Sequence, residues 1–169
     1  MKRPPLPVVL VALLLLALGE TAGAAMSQLR APLERWSSAR VDANRAVHGL
    51  SGSAEYDDEV RARTIFLVEA GLSFLHTHAE GLGLVLFFTS TLVASAVGGR
   101  RWRGLLYPPL TVGALFPVGY LVYSVAVLEL GRDAGVDFAE RWVLTVLGGL
   151  AILGLLGLGA ALAAGRGRA

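Results

Sequence analysis

Cysteine is absent from this 169-residue chain, which excludes disulfide staples, thiolate metal ligands and thiol chemistry. Lysine is nearly absent too. Lys2 stands alone against fourteen arginines, a bias that reads as coding composition rather than function. The chain lacks a Gly-x-Ser-x-Gly nucleophile turn, a phosphate-binding glycine loop and an H-E-x-x-H helix, so no catalytic residue is assigned. No segment interleaves a basic stripe with aromatic residues, which leaves nucleic-acid binding without support. Charge itself is missing from residues 105–128 and 142–164, and both runs exceed the ~20 residues that cross a ~30 Å hydrocarbon core.

What is present agrees with that last absence. The chain is 54% hydrophobic, above the roughly 45–50% of a soluble domain, and its mean hydropathy is +0.61. These features predict an all-α integral membrane protein. Its fold is a bundle of four transmembrane helices, or three after signal cleavage, with an external amphipathic helix. The lipid bilayer is the first expected partner, with other membrane subunits or a homo-oligomer beside it.

Residues 1–26 begin with Lys2 and Arg3, run apolar from 6 to 18 and end in Ala22-Gly23-Ala24. They fit either a signal peptide cut at that A-x-A sequence or a retained first span carrying Glu20. Residues 27–63 form an external amphipathic segment. Leu33, Trp36, Ala43, Val47 and Leu50 predict one helix over 28–48, with its apolar stripe on the membrane surface or capping the bundle. Residues 49–53 predict a turn and Ser53 a helix cap. Glu55, Asp57, Asp58 and Glu59 predict a solvated acidic helix start.

Residues 64–169 form the three-helix core, with spans at about 77–97, 105–130 and 142–164. The uninterrupted stretch 64–97 makes about 50 Å of helix, so its outer part projects or bends at Gly71, Gly81 or Gly83. Pro108, Pro109 and Pro117 start or kink the next span. Residues 131–141 read as a polar loop. Glycines 148, 149, 154, 157 and 159 allow close helix approach in the last span. Lys2, Arg3, Arg100, Arg101, Arg103, Arg166 and Arg168 fall on one side if four spans alternate. The positive-inside rule makes that side cytoplasmic. Both termini are therefore expected inside the cell membrane, with 27–63 and 131–141 outside.

Against this apolar background, residues 72–88 carry His76, His78 and Glu80. Ionisable groups at membrane depth are costly without partners, which makes them a functional-site hypothesis. Helical rise puts Glu80, His76, His78, Tyr123 and Glu129 at about 25–35 Å from the cytoplasmic boundary, and Glu20 at about 20 Å. The inner half offers only hydroxyls, such as Thr89, Ser90, Thr91 and Ser95. His76 and Glu80 share a helix face with Glu69, whereas His78 points about 200° from His76 unless the helix unwinds.

His76, His78, Glu80 and Glu129 are thus the candidate metal or cofactor ligands, with His48, Glu69, Glu20 and Tyr123 as additional members. Such donors suit zinc, copper or iron. They also suit a b-type haem held by His76 or His78, with the second axial position taken by His48 or left open. The expected function is an outer-leaflet metal or haem site within a respiratory or metal-handling assembly. One alternative is a non-catalytic structural or accessory subunit. Another is a small proton- or ion-coupled transporter, which the relay-free inner half disfavours.

Overall fold

The computed structural model describes residues 3–166, and every regular element among them is helical. The elements are α1 (Leu6–Gln28), α2 (Arg30–Ala43), α3 (Arg45–His48), α4 (Ala54–Ala96), α5 (Arg100–Gly113) and α6 (Val118–Leu130), then α7 (Arg132–Ala139), a π-helical turn (Glu140–Leu144) and α8 (Thr145–Arg166). Four helical stretches among the described residues are long and apolar enough to cross a membrane: Leu6–Gln28, Ala54–Ala96, Arg100–Leu130 and Arg132–Gly165. Lys2 and Arg168, counted above toward the cytoplasmic side, lie outside the described residues.

The long helix α4 is the spine. Its 43 residues make about 64 Å, twice the thickness of a hydrocarbon core. It runs as unbroken α-helix through Gly71, Gly81 and Gly83. α1 lies antiparallel along it, so that Val8 and Ala12 cluster with Leu86, Val93 and Val97, while Ala22 meets Leu75 and Ala79. α5 and α6 pack on α4, and α8 packs on α5. The start of α1, the end of α4, the start of α5 and the end of α8 therefore share one end of the bundle, here called the basic end. α2, α3 and the first turns of α4 cap the other.

Proline sets the break between α5 and α6. Pro108 and Pro109 sit inside α5, and Pro117 has no N–H to continue the ladder. Residues 114–117 tighten into turns in which Phe116 N donates to Gly113 O at 3.0 Å and Gly119 N to Phe116 O at 2.9 Å. The expected kink is present at that point.

Five expectations need correction. The single helix over 28–48 is two, broken at Leu29, where Pro32 cannot donate in the first turn of α2, and again at Asn44. Its buried face is also different: Ser37 and Val41 are buried, whereas Ala43 and Val47 are exposed. The apolar stripe caps the bundle, with Val41 packed against Val68 of α4 and Leu128 of α6. The 131–141 loop is instead helical, as α7 and the π turn, because Gly131 at φ 80° reverses the chain and Asp133 starts a new helix. Ser53 occupies the N-cap of α4, but its hydroxyl makes no capping hydrogen bond. Asp57 binds the preceding loop instead, and it is buried rather than solvated.

Candidate functional site

The ionisable groups singled out by sequence fall into separate groupings, each at a crossing of two elements. The first lies between α1 and α4. Gly19 and Gly23 stand one above the other on the face of α1 that meets α4. A Cβ on Gly23 would lie 2.8 Å from the His76 ring, and one on Gly19 3.0 Å from Glu80 Cγ, so these glycines make the room that His76 and Glu80 occupy. His76 Nδ1 is 2.9 Å from the carbonyl oxygen of Gly19 and 3.0 Å from Glu80 Oε1. A carbonyl and a carboxylate oxygen both accept, so Nδ1 carries the hydrogen in this arrangement. Sequence reasoning misses Gly19 and Gly23, although G-x-x-x-G spacing is the signal for such a crossing.

The second grouping lies between α4 and α6. Because α4 is regular through residues 76–83, His78 points away from His76, as the helical angle predicts. Its ring stacks among Phe74, Phe116 and Tyr120, with centroids 6.0, 5.7 and 5.1 Å away. Its Nδ1 donates to Phe74 O at 2.9 Å. One turn further out, Ser124 Oγ donates to Val68 O across the crossing at 3.1 Å, with Gly71 packed against it. Tyr123 lies on Gly71 as well.

The third grouping ties the cap to the end of α6. Arg40 grips Glu129 through Nε at 2.8 Å and Nη2 at 2.6 Å, and Asn44 Nδ2 adds a contact at 3.2 Å. Asn44 Nδ2 and His48 Nε2 also donate to Leu128 O, at 3.1 and 3.0 Å, satisfying a carbonyl at the helix C-terminus. The Arg40 guanidinium is held in its charged form by hydrogen bonding to Glu129 and by that carboxylate's charge. Nearby, Asp57 accepts from Ser51 N at 2.8 Å, Gly52 N at 3.1 Å and Arg45 Nη2 at 3.2 Å. Burial pushes the Asp57 carboxyl up. The two N–H groups and the Arg45 charge outweigh that and hold it below the ordinary aspartate range.

Glu69 and Glu20 stand apart from these three groupings, and His48 also faces a cleft. Glu69 is 3.3 Å from Arg30 Nε, which links α2 to α4. Glu20 is exposed on α1. His48 borders a polar cleft of about 420 Å³ beside Tyr56, Glu59, Arg63 and Arg132, where charges of both signs alternate.

The expected common ligand set of His76, His78, Glu80 and Glu129 therefore does not assemble. Among the described residues, no three His, Asp or Glu side chains stand close enough to hold a metal ion. For haem, His76 and His78 face different helices and His48 is engaged on Leu128 O, so the donors do not fit a bis-histidine axial pair. What the arrangement does chemically is pair groups between elements. Comparison with family models, curated proteins and solved structures finds no match for this chain.

Proposed function

We propose that this chain is an integral membrane protein of the cell membrane that works without a bound cofactor, as a structural or accessory component beside other membrane subunits or a second copy. Its basic end faces the cytoplasm, in keeping with the Lys/Arg bias. One observation carries the reading: these groups serve separate contacts rather than one centre, with His76 on Gly19 O of α1 and Glu80 beside it on α4, His78 among Phe116 and Tyr120, and Glu129 on Arg40 of the cap. Groups used in this way fix which helices meet, because leaving either partner unpaired in a low-dielectric bundle is costly.

Elemental and optical analysis of detergent-purified protein, offered zinc, copper, iron and haem, tests the reading. No stoichiometric metal and no Soret band are expected. His76→Ala combined with His78→Ala is expected to loosen α1 from the bundle, seen as a lower Tm and new proteolysis near residues 20–30. Stoichiometric ligand in the native chain, lost in a double variant that stays folded, overturns it in favour of a metal or haem site.

A further inference from the structure

A groove lies at the basic end, apart from the three groupings described above. It measures about 680 Å³ and runs between the end of α4, the start of α5 and the last turns of α8. The α8 wall is built from Gly157, Ala160, Ala161 and Ala164. That spacing recurs on one helix face, so the groove is concave because its wall carries almost no side chain. Val97 and Leu106 make its apolar floor and Trp102 stands at its mouth, 62% exposed.

Charge supplies the second observation. Among the described residues, Arg3, Arg100, Arg101, Arg103 and Arg166 belong to the basic end. No acidic residue occurs in 1–19, 81–128 or 141–169, so all thirteen acids lie elsewhere. Arg100 and Arg101 are exposed beside the Gly98–Gly99 turn that borders the groove. Arg103 Nε is buried and makes no hydrogen bond among the described residues. A buried donor is satisfied when an acceptor arrives.

We propose that this groove binds an anionic glycerophospholipid, with one acyl chain against the Gly/Ala wall of α8 and the phosphate against Arg100, Arg101 and Arg103. The pairing of an apolar channel with an uncompensated basic rim matches that chemistry at both ends. A free phosphate leaves the apolar groove empty. A zwitterionic lipid leaves the rim uncompensated. The inference rests on the membrane reading, and flotation with vesicles separates the two: a chain that fails to float overturns the membrane reading, whereas lost selectivity in a chain that floats overturns only this proposal.

The test places the full chain in vesicles doped with brominated phosphatidylglycerol or brominated phosphatidylcholine. Trp102 quenching is read by difference against Trp102→Phe. Each arginine near an anionic lipid is worth roughly fivefold and three together about a hundredfold, so phosphatidylglycerol is expected to quench Trp102 at about two orders of magnitude lower mole fraction than phosphatidylcholine. Arg100→Gln, Arg101→Gln and Arg103→Gln together are expected to abolish the preference. Ala160→Leu, which fills the groove and keeps the arginines, is expected to weaken quenching by either lipid. Equal quenching by both lipids in the native chain means annular lipid only and overturns the proposal. So does a preference that survives the triple substitution, or competition by inorganic phosphate. If the triple variant does not fold, Arg103→Gln and Ala160→Leu carry the same two readouts.

Discussion

The two halves of this bundle are held together by different physics. In the basic half, helices meet backbone to backbone. A Cβ on Gly113 would lie 2.2 Å from Ala151 N, and one on Gly154 3.0 Å from Leu110 N, with a single apolar cluster spread over α1, α4, α5 and α8 around them. The capped half has such approaches too, as where a Cβ on Gly135 would lie 2.5 Å from Ala126 O. But it adds contacts specified by charge and hydrogen bonding: Arg40 on Glu129, His76 between Glu80 and Gly19, Asp57 on the N–H groups of its loop. Helices surrounded by lipid gain little from hiding apolar surface, since lipid is as apolar as leucine, and close packing takes over. Where water is near, polar pairs select among many equally greasy arrangements. The contrast yields an order of sensitivity. Shape changes should hurt most in the first half, charge changes in the second.

The largest effect is expected at Gly113. Even alanine there collides with the backbone of Ala151, which no side-chain rotation relieves. Gly113→Ala should destabilise the bundle by about 1–3 kcal/mol, read as a lower Tm in detergent. Gly149→Ala is the matched control, because nothing lies within 4 Å of a Cβ there. It should be neutral, or stabilising by up to roughly 1 kcal/mol, because alanine is the better helix former. If the two substitutions behave alike, close approach is not what holds the basic half.

The apolar half was also the more legible one. A run of twenty uncharged residues has few fates, so the last two spans could be read directly, as could the break near Pro117, whereas the first span stayed open between a signal peptide and a retained helix. Once α4 is regular, the divergence of His76 and His78 follows from the helical angle alone. The capped half was less legible because its contacts are distant in sequence. Arg40 and Glu129 are 89 positions apart, and no local pattern pairs them. Depth along each helix brought Glu129 near His76 in height but carried no information about rotation, which turns Glu129 toward the cap. Pro32 and Asn44 could have been read as breaks in the 28–48 helix. Overlooking them shifted its apolar stripe to Ala43 and Val47.

A smaller effect, and a differently placed one, is expected at Arg40. Its guanidinium and the Glu129 carboxylate are 40% and 36% exposed, so solvent screens the pair despite its two-pronged geometry. Arg40→Gln should barely move the global Tm, yet speed amide exchange in α2 and at the end of α6 while leaving α5 and α8 unchanged. The native chain should lose part of that difference in high salt, as the variant cannot. Combining Arg40→Gln with Glu129→Gln tests coupling directly. Additive effects of the two single changes would mean that the cap is seated by Val41 and its apolar neighbours, with the ion pair a bystander.

The smallest effect is the pH dependence of the α4 start. Asp57 is held below the ordinary aspartate value near 3.8, since the Ser51 and Gly52 N–H groups and Arg45 outweigh the cost of its burial. A carboxyl depressed in the folded state contributes stability above its unfolded pKa and loses it as pH falls through the folded one. The 49–53 loop should therefore stay protected from amide exchange at neutral pH and open on acidification below about pH 4. Asp57→Asn should show weaker protection at neutral pH and no further opening in acid from this group, because the amide accepts poorly at both N–H donors and cannot pair with Arg45. A loop that opens identically in both chains would assign its order to the turn at Gly49 and Gly52, both at positive φ, rather than to the carboxylate. In that case charge would specify the capped half only where it crosses between elements.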